Sequence, residues 1–142
     1  LQFEPICLAE AVRTDTRLFA AGTPVLGVHI PADGRLDPGE TAKSYAAAAV
    51  FFNRPEPLFH CASWLLGPDL GELLPASSHI RQFAGEYRIY RVNDTSRQAE
   101  ERIFGFVSDQ PSLYPDKTSL QKAARAHLLR GGRLPVGYGL RF

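Results

Sequence analysis

Methionine is absent from this sequence, and cysteine is scarce, with Cys7 and Cys61 only. An intact translated chain normally opens on methionine, so residue 1 is not expected to be the native start. Two cysteines without a Cys-x-x-Cys spacing fit reduced thiols and a cytoplasmic location, with a Cys7–Cys61 bridge left open. Long apolar runs are missing too. None approaches the ~20 residues a membrane helix needs, and the longest, Ala46–Phe52, reads as a short helix core. Leu1-Gln2-Phe3-Glu4 has neither a basic flank nor the shape of a signal peptide, so no membrane partner is expected. Charge of one sign is also lacking. A net charge of +1 gives no electrostatic case for nucleic acid, and Arg13, Arg17, Arg88, Arg91, Arg125 and Arg130 are scattered as on a solvated surface. The histidines lack paired spacing, so no metal is expected. No Gly-x-Ser-x-Gly elbow marks a serine hydrolase.

What is present describes one ordinary domain. The 142 residues are 44% hydrophobic and 22% charged, which are globular values and enough for a core. Leu1–Leu8 alternates weakly and reads as a strand, demoted to an edge by Pro5. Pro24–Ile30 is a stronger strand, with Val25, Gly27 and His29 on one face and Leu26, Val28 and Ile30 on the other. A helix follows: Asp37 is the N-cap, Pro38 suits the first helical position, and Glu40 stands at capping-box spacing. Tyr45, Ala48, Ala49 and Phe52 form its apolar stripe, and Asn53-Arg54-Pro55 ends it.

Leu58–Leu66 is apolar at nearly every position and reads as a central strand buried on both faces. Short helices are expected from Pro68 to Leu74 and after Ser77 or Ser78. Tyr87–Val92 and Arg102–Val107 alternate, and predict an antiparallel pair joined by the polar loop Asn93–Glu101. Thr118 and Gln121 form a capping box for a helix that runs to Gly131-Gly132. Pro135–Phe142 reads as a last strand. The expected architecture is α/β (α+β): a mixed sheet with helices packed against it.

Four phrases, in this order and spacing, carry a family resemblance. They are His29-Ile30-Pro31 with Gly34 and Leu36; Cys61-Ala62-Ser63-Trp64-Leu65-Leu66; Leu74-Pro75 followed by Ser78-His79-Ile80 and Phe83; and Thr118-Ser119-Leu120-Gln121 with Ala124 and Leu128. Together they resemble the C-terminal domain of GNAT-like acyltransferases of the kind found in actinobacterial proteins. The resemblance implies a separate, mostly helical N-terminal domain ahead of this one. It also implies acyl-CoA as co-substrate, held in the splay between Pro24–Ile30 and the central strand. A backbone N–H late on the first strand, at Ile30, would meet the thioester carbonyl. A base would deprotonate an amine on a small-molecule acyl acceptor. The family's usual Gln/Arg-x-x-Gly-x-Gly/Ala phosphate loop is absent, and Asp33 and Asp37 precede the helix instead. A carboxylate cap occupies the N–H groups a phosphate would use. The pyrophosphate contact is therefore expected at Gly34 and Arg35.

His29, late on its strand, is the leading candidate base, with a hydrogen-bonded structural histidine as the other reading. Cys61 and Ser63 share a face of the central strand and are candidate catalytic groups. Nothing local activates the thiol, so Cys61 also reads as a small buried hydrophobe. Trp64 reads as a core anchor. Two functional readings follow: an acyltransferase, or a non-catalytic GNAT-like module that binds a ligand or docks onto its own N-terminal domain.

Overall fold

The computed structural model describes residues 1–32 and 35–142. The chain begins with β1 (Gln2–Cys7), a small hairpin β2 (Val12–Arg13) and β3 (Leu18–Phe19), then β4 (Pro24–His29). Helix α1 (Pro38–Phe51) leads to β5 (Phe59–Ser63), a 3-10 turn over Trp64–Leu66, α2 (Pro68–Leu73) and α3 (His79–Gly85). Then come β6 (Arg88–Asn93), α4 (Gln98–Phe104), α5 (Ser119–Leu129) and β7 (Val136–Arg141). The main sheet has the order β1-β4-β5-β7-β6. Among the described residues only β4 and β5 pair in parallel, and every other neighbour in this sheet is antiparallel. The expected mixed α/β sheet is therefore present, with β1 on an edge and the β4–α1–β5 unit at its centre.

The local signals at the two long helices act as their chemistry requires. The Asp37 carboxylate accepts from the Glu40 N–H at 3.1 Å. Thr118 and Gln121 complete a full capping box at α5. The main core lies between the sheet and the helices, with Leu26, Phe59, Cys61, Tyr45 and Ala124 inside it. A second cluster beneath the β2–β3 hairpin gathers Leu8, Val12, Val25, Leu58 and Leu140 on the opposite face.

Two expectations fail. The run from Arg102 is not a strand: Gln98–Phe104 is helix α4, and β6 pairs with β7 instead. The buried residues Ala99, Glu100, Ile103 and Phe104 recur with helical spacing. Gly105, at φ 85°, closes the helix in the left-handed conformation that glycine supplies without steric cost. Six residues of alternation were too short a window to distinguish the two periods. The central strand, in turn, stops at Ser63 rather than Leu66. The Ser63 hydroxyl accepts from the Leu65 N–H at 3.2 Å, which rolls the chain into the 3-10 turn. Gly137 lets β7 pack on that turn, because a Cβ there would strike the Leu66 carbonyl.

Candidate functional site

The central feature of the sheet is a seam that closes at one end only. β4 and β5 pair at Leu26↔Phe59 and Gly27↔His60, and the ladder stops there. The Leu26 N–H donates to the Leu58 carbonyl at 2.8 Å, which fixes which groups of β4 face β5. Successive peptide groups alternate in direction along a strand. The next groups facing the seam are therefore the Ile30 and Ala62 N–H donors and the Val28 carbonyl. They lie beyond the last paired residues. Pro31 restricts the backbone of Ile30 before it, at the point where the strands part.

This opening is one end of a cleft of about 810 Å3. One wall is the end of β4 and the following loop, from Val28 to Ala32 and on to Arg35 and Leu36. The other wall is Ala62, Ser63, Trp64 and Leu65. His79 and Ile80 of α3, and Gln98, Glu101 and Arg102 of α4, complete it. Arg35 and Arg102 bring positive charge to this lining. Trp64 is half-buried, not enclosed, so the expected core anchor is a cleft wall packed on the core from outside.

A second network fixes α4 as the cleft's far side. Glu100 is buried, and the Arg97 guanidinium grips its carboxylate with both Nε and Nη2. The same guanidinium donates to Asp109 at 3.0 Å and to the Ser108 carbonyl at 2.8 Å. The Tyr114 hydroxyl donates to Glu100 at 2.8 Å. A buried carboxylate held by an arginine fork and a phenol is fully partnered, which makes a rigid mount for a short helix.

The residues singled out from sequence separate into two groups. His29, Ile30 and Arg35 border the cleft, as does Ser63. His29 is exposed, and its Nε2 lies 2.6 Å from Glu4 Oε1 on β1. Glu4 was not singled out from sequence. The register Glu4↔Gly27 and Gln2↔His29 puts it diagonally beside His29 on one face, and no local pattern reveals that pairing. Cys61 points into the core at 1% exposure, where burial pushes its thiol up to about 12. It is a protonated thiol at neutral pH, and it takes the small-hydrophobe role among Phe59, Leu26 and Tyr45. Ser63 is also buried, and its hydroxyl oxygen accepts from the Leu65 N–H as a cap. Gly34 lies outside the described residues. Among those residues no cluster of His, Cys, Asp or Glu is arranged to hold a metal, and no helix is long and apolar enough to cross a membrane.

On the sheet face turned away from α1, His60 Nε2 meets the Tyr90 hydroxyl at 2.9 Å. Burial, and then the Arg91 charge, lowers the His60 pKa. Arg91 itself lies 4.1 Å over the Tyr138 ring and pairs with Glu10 at 2.9 Å.

Solved structures extend these observations. An acyltransferase in complex with decanoyl-CoA and teicoplanin is 30% identical at a TM-score of 0.73, over 84% of this chain and 41% of that one. An acyltransferase in complex with decanoyl-CoA is 31% identical at a TM-score of 0.72, over 93% of this chain and 46% of that one. A mutant acyltransferase in complex with octanoyl-CoA is 28% identical at a TM-score of 0.77, over 99% of this chain and 44% of that one. The chain thus spans less than half the length of these acyltransferases. No curated protein sequence matches. The mixed sheet with its helices is the fold of those enzymes, and over residues 1–141 the chain belongs to the GNAT-like C-terminal domain family.

Proposed function

We propose that this chain is the part of an acyltransferase that holds an acyl-CoA and passes its acyl group to an amine on a small-molecule acceptor. The observation that carries this reading is the half-open seam. Two parallel strands part after Gly27↔His60 and direct the Ile30 and Ala62 N–H groups into a cleft large enough for an acyl-pantetheine arm. The Ile30 N–H suits the thioester carbonyl, and a fixed backbone donor there gains strength as negative charge develops on that oxygen. Arg35, exposed on the loop after β4, supplies the cation for the phosphates.

His29 is the proposed base, with Glu4 as its positioning partner. A carboxylate can only accept, so Nε2 carries the hydrogen shared with Glu4 and Nδ1 is left to take a proton. The amine nitrogen attacks the thioester carbon. The C–N bond forms, the C–S bond breaks, the amine proton passes to His29 Nδ1, and the CoA thiolate leaves to be protonated. Cys61 and Ser63 have no part in this scheme, since one is a buried thiol and the other is a cap. The rest of the acceptor site is proposed to come from a separate N-terminal domain of the same polypeptide.

One observation favours the non-catalytic module instead. Asp37 already fills the N-terminus of α1, and its charge opposes a phosphate there. Titration of the full chain with octanoyl-CoA, followed by turnover with an amine panel, separates the readings. The enzyme reading expects saturable binding, and His29→Asn should keep that binding while turnover falls by at least ~100-fold. Binding with no turnover against any amine would favour the module, and no binding would reject both uses of the cleft for acyl-CoA.

A further inference from the structure

Gln98 does two things at once in this cleft. It is the first residue of α4, and its Oε1 accepts the Trp64 N–H at 3.0 Å. Ser63 is still extended, at φ −154° and ψ 148°, so the Trp64 N–H keeps the direction set by the strand. His60, Ala62 and Trp64 all present their N–H groups on the side of β4. In a ladder that stayed closed, the acceptor for Trp64 would be the Ile30 carbonyl. Gln98 therefore stands in for β4. Its amide oxygen satisfies the donor that would otherwise draw the two strands together, and α4 is held in place for this by the Arg97–Glu100–Tyr114 network.

The same contact settles the orientation of the side chain. An N–H donor must face the amide oxygen, so the Gln98 NH2 group points elsewhere. It has no hydrogen-bond partner among the described residues. It is not a buried orphan either, because the only buried side-chain polar atom without a partner among them is Arg125 Nε. Gln98 lines the cleft beside Ala62 and Trp64. Two donors with no acceptor among the described residues thus stand at the open end of the seam, next to the Ala62 N–H.

We infer that Gln98 is both the wedge that keeps β4 and β5 apart and a substrate-contacting donor that takes a carbonyl oxygen of the acyl-pantetheine arm. The inference rests on the acyl-CoA reading for its second half only. The carbonyl has two sources, the thioester and the pantetheine amides, and they differ in a testable way because free CoA lacks the thioester.

Gln98→Glu keeps an oxygen for the Trp64 N–H but replaces the free donors with an anion. Gln98→Leu removes both functions at similar size. Hydrogen exchange of the Trp64 and Ala62 amides and titration with octanoyl-CoA and with CoA read the two halves separately. In Gln98→Glu, Trp64 exchange and the melting temperature should stay as in the wild type while octanoyl-CoA binds about tenfold more weakly. Weakening of octanoyl-CoA alone assigns the thioester, and equal weakening of CoA assigns a pantetheine amide. In Gln98→Leu, the Trp64 N–H is left to the Ile30 carbonyl and the seam should close, so the Ala62 amide, which then meets the Val28 carbonyl, should exchange about tenfold more slowly. Unchanged octanoyl-CoA affinity in Gln98→Glu would overturn the donor role, and unchanged Ala62 exchange in Gln98→Leu would overturn the wedge. If the wild type binds no octanoyl-CoA, the acyl-CoA reading falls and takes the donor role with it, while the wedge is judged by exchange alone.

Discussion

The two halves of the β4–β5 seam are built on opposite terms. At the closed half, Leu26 and Phe59 pair within a dense aromatic cluster. Phe3, Tyr45 and Phe59 have ring centroids 4.7 to 5.8 Å apart, and Arg141 lies 3.9 Å over Tyr45. The Tyr45 and Tyr87 hydroxyls share a hydrogen bond of 2.7 Å there. At the open half, a few residues along, Val28 and Leu65 still reach the core, but Ile30 and Trp64 are half-buried, His29 and Ala62 are exposed, and polar caps join the packing: Ser63 on Leu65, Gln98 on Trp64. Packing locks one end of the seam, and hydrogen bonds hold the other end apart. Stability and ligand access are thereby separated along a single pair of strands.

The contrast can be broken most severely at the closed half. Phe59→Ala removes a ring that is 2% exposed, and should cost ~3–5 kcal/mol in denaturant unfolding. Trp64→Ala, at the open half, sharpens the contrast by costing less. A half-buried wall residue should lose about 1–2 kcal/mol, a fraction of the cost of a fully buried aromatic, together with a measurable drop in octanoyl-CoA affinity. A loss at Trp64 equal to that at Phe59 would show that packing, not capping, holds the open half. Arg35→Ala should leave unfolding within ~0.5 kcal/mol of the wild type, as for most exposed residues. Calorimetry should instead find acyl-CoA binding weakened by ~1–3 kcal/mol, the range for a hydrogen bond to a charged group.

The smallest effect is expected at the boundary, where His60 forms the last pair of the seam. Its folded pKa lies below the ordinary value of 6.5, first through burial and then through Arg91. The unfolded chain therefore binds the proton first as pH falls. The contribution of neutral His60 is fully present above 6.5 and is lost as pH drops from there through the folded pKa. Melting curves across that window should show a decline that His60→Gln flattens. An identical pH slope in that variant would place the titration elsewhere.

Much of the frame was legible because its causes are local. Pro5 marks β1 as an edge, the Asp37 and Thr118 caps mark two helix starts, and the β–α–β order predicts the adjacency of β4 and β5. The stretch from Asn93 to Val107 was misread because six alternating residues suit a strand as well as a helix. Gly105, which ends that helix, gains its meaning only once the left-handed cap is seen. The candidate site was legible in part. His29, Ile30 and Arg35 follow from their place at the end of β4. Cys61 and Ser63 share their strand, and the structure puts the first inside the core and the second as a cap on Leu65.

The sequence by itself determined where the chain turns, caps and alternates, because those preferences are satisfied within a few residues. Only the tertiary structure decided which donors go unpaired, which carboxylate meets His29, and which amide takes the place of a strand. Glu4 and His29, like Trp64 and Gln98, lie far apart in the chain, and register and packing alone bring them within hydrogen-bond reach.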